Sequence, residues 1–64
     1  MNSINEIVFK LDVETNEEKG VIYHNYFYDI SATSLAHTVT FIYEHMADVR
    51  CVKVIKDYYK EVVL

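Results

Sequence analysis

Residues 7–14, IVFKLDVE, alternate between apolar and polar side chains. Ile7, Phe9, Leu11 and Val13 fall on one face, and Val8, Lys10, Asp12 and Glu14 on the other. A period of two is the signature of a half-buried strand. TNEEKG follows, polar and ending in the only glycine of the chain, Gly20. It reads as a hairpin loop in which Gly20 takes a positive φ, which costs a residue without Cβ little. Residues 21–30, VIYHNYFYDI, form a second strand on propensity, since Val, Ile, Tyr and Phe dominate it. Its alternation is poor. Ile22, His24, Tyr26, Tyr28 and Ile30 would share one face, and Val21, Tyr23, Asn25, Phe27 and Asp29 the other. A strand with rings on both faces is covered on both sides or belongs to an interface. Either Tyr26 and Tyr28, or Tyr23 and Phe27, sit under the first cover.

At SATS the pattern changes. Ser31 or Thr33 can cap a helix by accepting a bond from the free amides of its first turn. From Ala32 to about Ala47, Leu35, Val39, Ile42 and Met46 recur at spacings of four, three and four, one apolar stripe of a helix. Ala36, Tyr43 and Ala47 widen the stripe. His37, Phe41, Glu44, His45 and Asp48 lie off it, so Phe41 projects outwards beside Glu44 and Asp48. From Val49 the chain is again rich in β-branched residues, and Arg50–Ile55 reads as a third strand. The tail suits two descriptions. Ile55, Tyr59, Val62 and Val63 have helical spacing, whereas β propensity favours a continued strand with a bulge near Lys56-Asp57 that extends beyond the sheet.

The order is strand, strand, helix, strand. It predicts an α+β domain of β-β-α-β type: a three-stranded antiparallel sheet, one helix on one face and a C-terminal strand extension. The helix covers one face of the second strand and leaves the other face without cover in a monomer. With 64 residues the chain forms a single domain. So small a domain buries only about 60% of its unfolded surface. A lone cysteine, Cys51, excludes an internal disulfide, and 52% hydrophobic residues is rich for a surface-dominated monomer. A homodimer is the most economical remaining source of stability. The N-terminus shows no secretory leader, and no apolar run exceeds three residues. Together with the single cysteine, this predicts a cytoplasmic protein that does not enter a membrane.

The formal charge is −4, and the excess acid lies in the first half. Residues 1–32 hold six acids against two lysines; in residues 33–64 four acids balance four bases. Net negative charge argues against direct binding of nucleic acid, which needs clustered Lys and Arg. It suits a partner protein with a basic surface, as well as simple solubility. No cofactor is implied. His24, His37, His45 and Cys51 are the candidate metal ligands, but no C-x-x-C, H-x-x-x-H or H-E-x-x-H spacing joins them. Cys51 sits in a strand, where a lone cysteine is usually a small buried hydrophobe. One glycine permits neither a G-x-S-x-G elbow nor a phosphate loop. Glu17-Glu18 is a carboxylate pair in a loop, where solvent screens it. These features predict a protein that is not an enzyme.

Two surfaces remain. Tyr23, Tyr26, Phe27 and Tyr28 could stack bases, with Arg50, Lys53, Lys56 and Lys60 as the basic strand beside them. Alternatively, carboxylates on a rigid scaffold imitate a row of phosphates while exposed rings anchor a partner protein. Phe41, Glu44 and Asp48, with Asp29 and the strand-two tyrosines Tyr26 and Tyr28, would form that acidic surface.

The tyrosine-rich GVIYHNYFYDIS after an acidic turn, and the helix end IYEHMAD leading into VRCVKV, resemble a known family. This plan is similar to the small inhibitors of host uracil-DNA glycosylase encoded by phi29-like Bacillus phages. The resemblance covers most of the chain in element order, with few identities. It implies a homodimer of hairpin–helix–strand subunits that fills the DNA-binding cleft of the enzyme as a DNA mimic. It also implies an apolar pocket for the loop that the enzyme pushes into DNA. Tyr43 corresponds to the tyrosine of that pocket. The aromatic–acid pair of the family falls at Val39-Thr40 here, with Phe41 and Glu44 at neighbouring positions. The sequence therefore predicts a small phage-type inhibitor that binds a host protein by DNA mimicry, with Phe41, Tyr43 and Glu44 as the contact centre and Asp48 and Asp29 as phosphate mimics. The alternatives are a nucleic-acid-binding or regulatory protein using the Arg50–Lys60 strand, and a structural subunit of an assembly.

Overall fold

A computed structural model of the protein describes residues 2–16 and 20–64. Strand β1 (Ser3–Asn16) and strand β2 (Ile22–Ser31) form a hairpin. A 3-10 turn (Ala32–Ser34) leads into helix α1 (Leu35–His45), and strand β3 (Val49–Val63) completes the chain. The sheet order is β2-β1-β3 with both pairings antiparallel. The predicted α+β architecture is therefore present, and the tail is strand rather than helix. Because β2 and β3 both run against β1, they are parallel to each other. A parallel pair of strands needs a long crossover, and α1 supplies it by packing over one face of the sheet.

The core lies between α1 and the middle of β1. Leu11, Val13 and Ile42 are fully buried, and Phe27, Ile30, Leu35, Val39, Met46, Val49 and Val52 pack around them. The four-three-four stripe of α1 thus faces the sheet as its spacing requires. Ala36, Tyr43 and Ala47, expected to widen the stripe, are exposed instead. An 11-residue helix is about 16 Å long. It cannot cover a sheet whose long axis reaches 52 Å.

The two ends of the helix depart from the expected capping. Neither Ser31 nor Ser34 bonds a free amide through its side chain. The Ser31 hydroxyl donates instead to Ser34 Oγ at 2.8 Å and lies 3.2 Å from Thr33 Oγ1, so the three hydroxyls satisfy one another. At the C-terminus the Met46 amide donates to the Ile42 carbonyl. Asp48 then takes a left-handed conformation (φ 61°), and its carbonyl accepts the Asn16 amide at 2.9 Å. Asp tolerates that region better than most residues, so the turn needs no glycine there. Gly20, at φ 72°, has the positive φ expected of it, while Glu17, Glu18 and Lys19 of the same loop lie outside the described residues.

Two irregularities decide which side chains share a face. On β2, Phe9 pairs with Ile30 but Leu11 pairs with Phe27, so one extra residue is inserted at Tyr28-Asp29. Asp29 takes φ 58° to make that bulge. Ile30 is thereby returned to the helix side with Phe27, and Asp29 turns to the open side with Tyr26 and Tyr28. Strict alternation had assigned Ile30 and Asp29 the other way round. On β3, Lys10 pairs with Lys56 and Leu11 with Val54, which places a bulge at Ile55, close to the expected Lys56-Asp57. A further irregularity at Arg50 lets Val49 join the core while Cys51 faces away.

Beyond Val8 the sheet has only two strands. Ser3–Ile7 pairs with Tyr59–Val63, and the Leu64 amide closes the end on the Asn2 carbonyl. Ile4, Ile7, Tyr59 (72% exposed), Val63 and Leu64 are uncovered apolar residues of this ribbon.

With so few buried residues, the core tolerates little loss. Leu11→Ala and Ile42→Ala should each cost about 2–5 kcal/mol, the usual range for a deleted buried branch. Urea unfolding followed by circular dichroism measures this.

Candidate functional site

The open face of the sheet, opposite α1, carries charged and aromatic residues in rows across the three strands. Register fixes the rows. Glu14 lies between His24 and Cys51, Asp12 between Tyr26 and Lys53, and Lys10 faces Lys56. None of these neighbours is close in sequence.

The first row is a closed network. The Cys51 thiol and the Lys53 ammonium both donate to Glu14, each at 3.0 Å. These bonds hold the Glu14 carboxyl below its ordinary value, the thiol bond first and the lysine bond second. The same carboxylate pushes the Cys51 thiol up, so the sulfur stays protonated and is a poor nucleophile. His24 Nδ1 sits 2.9 Å from an oxygen of Asp12, a carboxylate that is almost fully buried in the central strand. Asp12, Glu14 and His24 bring one ligand atom each within 4.8 Å of one another. These side chains are of types that can hold a metal, and sequence spacing could not reveal the set, because His24 of β2 meets Asp12 and Glu14 of β1 across the hairpin. His24, Glu14 and Asp12 are already engaged internally, and Cys51 flanks Glu14 on the side away from His24. His37 and His45 are on α1, remote in the fold from this set.

The second row is built on aromatic rings. Lys10 Nζ lies 4.7 Å from the ring centre of Tyr26 and 4.8 Å from that of Tyr28. Lys56 Nζ lies 6.0 Å from the ring centre of Tyr58. Cations at these distances are attracted by the negative ring faces. The Tyr58 hydroxyl donates to the Asp29 carboxylate and accepts the Asp29 amide at 2.8 Å. Lys60 donates to the other carboxylate oxygen at 2.9 Å. The left-handed bulge residue is thus clamped from both its backbone and its side chain.

The helix layer is different in character. α1 contains no lysine or arginine. Phe41 and Tyr43 are 54% and 51% exposed, on either side of the buried Ile42, and Glu44 projects between them away from the sheet. The Phe41 and His45 rings pack with centroids 4.3 Å apart and planes tilted by 33°. Val39 packs into the core, and the Thr40 hydroxyl donates to the Ala36 carbonyl, so neither adds to this surface as a ring or a carboxylate.

The predicted partner-binding residues accordingly divide. Phe41, Tyr43, Glu44 and Asp48 lie in the helix layer and its following turn. Tyr26, Tyr28 and Asp29 lie on the opposite face of the sheet, where Asp29 is neutralised by Lys60 and Tyr58. One continuous surface containing all seven does not form. Comparison with protein-family models, with curated proteins and with solved structures finds no match to the chain.

The clamp predicts a pH dependence of known sign. Asp29 is held below its ordinary 3.8, chiefly by the Tyr58 hydroxyl and then by Lys60. Its contribution to stability is present above that value and is lost as pH falls through the folded pKa. Tyr58 is pushed above 10.0 by the bond to Asp29, and Lys60 above 10.5 by the same carboxylate. Their contributions are present below those values and are lost as pH rises through the folded ones. Asp29→Asn should therefore flatten both limbs of the urea midpoint against pH. It should also move the ionisation of Tyr58, read by ultraviolet difference spectroscopy against Tyr58→Phe, down towards 10.0.

Proposed function

We propose that the protein acts by binding another protein, as an inhibitor of phage type that blocks a DNA-binding enzyme of the host by imitating DNA. The observation that carries this reading is the helix layer: two exposed rings, Phe41 and Tyr43, flank Glu44 on a helix without a single lysine or arginine, and Asp48 follows in the turn after it. Exposed aromatic residues at the centre of a patch are what protein interfaces favour as anchors. Carboxylates beside them suit a partner whose basic groove normally receives phosphates. Tyr43 is the pocket tyrosine that the family resemblance implies, and Phe41 and Glu44 stand in for the aromatic–acid pair. Asp29 leaves this surface, because it faces the other side of the sheet and its charge is already paired.

In this reading the protein is a homodimer in the cytoplasm of the host. The second copy covers the apolar ribbon formed by Ser3–Ile7 and Tyr59–Val63. A two-stranded ribbon is marginal alone in water. Ile7, Tyr59 and Val63 are exposed on one face of the ribbon, the kind of apolar exposure that marks an interaction site. The lysines of β3 keep that long, proline-free edge from open-ended pairing, so the ribbon rather than the lysine-bearing middle of β3 is the dimer contact.

The inhibitor reading is tested with uracil-DNA glycosylase, the enzyme the resemblance points to. Phe41→Ala combined with Tyr43→Ala should abolish complex formation and inhibition while the far-ultraviolet spectrum stays that of the parent. Affinity of the parent should fall as salt rises. An unchanged affinity of the double variant removes these residues from the contact. Separately, size exclusion with light scattering at micromolar concentration should give twice the 7.6 kDa of one chain. Ile7→Lys with Tyr59→Lys should return it to one chain, and a parent that already runs as a monomer ends the dimer reading.

A further inference from the structure

The open face holds one like-charge pair that no carboxylate among the described residues pairs with. Lys10 of β1 and Lys56 of β3 are direct cross-strand partners. Side chains so placed start from Cβ atoms only about 4.5–5.5 Å apart, and like charges there are destabilising. Lys53 is paired with Glu14 and Lys60 with Asp29, and Asp12 lies against His24 one row away. Among the described residues no carboxylate forms an ion pair with Lys10 or Lys56. These two ammoniums therefore stand side by side without a carboxylate partner.

These two ammoniums border a cleft of about 310 Å³ whose other walls are Tyr28 and Tyr58. The volume is at the small end of ligand sites, which run from about 300 to 1,000 Å³. It suits one compact unit. The rings are held in place. Tyr28 lies against Lys10, and the hydroxyl of Tyr58 is fixed by both the amide and the carboxylate of Asp29. Asp29 does not cancel the local positive charge, because Lys60 and Tyr58 already take its carboxylate.

We propose that this cleft binds a nucleotide unit, with its phosphate between the ammoniums of Lys10 and Lys56 and its base against the rings of Tyr28 and Tyr58. A phosphate converts the repulsion of the lysine pair into two charge-assisted contacts. A base would take the sides of the Tyr28 and Tyr58 rings turned away from Lys10 and Lys56, a contact that a bare anion leaves unused, as in sheets that stack single-stranded nucleic acid on tyrosines. The site lies on the face opposite the helix layer and does not depend on the inhibitor reading. The unit is either a free mononucleotide or one residue of a single strand, and the chemistry of recognition is the same.

The test is an NMR titration of the full chain with adenosine monophosphate, inorganic phosphate, adenosine and a short oligothymidylate. Adenosine monophosphate should shift the amides of Lys10, Tyr28, Lys56 and Tyr58 saturably, and more weakly as salt is added. Phosphate alone and adenosine alone should each bind at least about tenfold more weakly, a difference of 1.4 kcal/mol. An oligothymidylate that binds well above the mononucleotide assigns the single strand as the source, and equal affinities assign the free nucleotide. Lys56→Gln, at an exposed position, should weaken binding by about tenfold or more, the loss of one charged contact. The same variant should raise the urea midpoint of the free protein, because the repelling pair is gone. The proposal is overturned if neither nucleotide ligand gives saturable shifts at millimolar concentration. It is equally overturned if phosphate binds as well as the nucleotide, or if Lys56→Gln binds unchanged.

Discussion

The burial of Leu11 and Val13 between two flanking strands and one helix is the contact on which the rest of the molecule depends. β1 is the only strand bonded on both sides, so its two apolar residues are shielded laterally by β2 and β3 and from above by Ile42. A domain with so small a core has little stability to spare. Every functional feature is attached to this centre. α1 holds its outer rings at a fixed angle because Ile42 locks its inner face.

Bulges then distribute chemistry between the two faces. Without the left-handed Asp29, the carboxylate would point to the helix side and Ile30 would be stranded on the open side. With it, Asp29 joins Tyr58 and Lys60, and Ile30 returns to the core. The bulge at Ile55 similarly sets Lys56 opposite Lys10. A single inserted residue reverses the facing of everything beyond it, so two insertions determine which charges meet.

The result is a molecule with two unlike surfaces. The helix layer is aromatic and carries Glu44 with no lysine or arginine. The open sheet face is aromatic too, but it holds both acids and lysines, and among the described residues Lys10 and Lys56 have no carboxylate partner. The net charge of −4 conceals this arrangement, because it counts ions that the fold has already paired. The apolar ribbon is a third feature, distinct from both, and it follows from a helix about 16 Å long beside a sheet far longer.

The sequence alone determined the element order, the turn at Gly20, the inward stripe Leu35, Val39, Ile42 and Met46, and the outward direction of Phe41. These are local properties: periodicity, propensity and the freedom of one residue without a side chain. It also narrowed the second strand to two arrangements of its rings. Only the tertiary structure chose Phe27 as the ring under the helix, exposed Tyr43, and carried Tyr26, Tyr28 and Asp29 to the face opposite Phe41 and Glu44. Only it brought Asp12, Glu14, His24 and Cys51 together, and Lys10 to Lys56. The reason is register. Which residues face one another across strands depends on pairings six to sixty positions apart and on bulges of one residue, and periodicity within one strand does not fix the register between two.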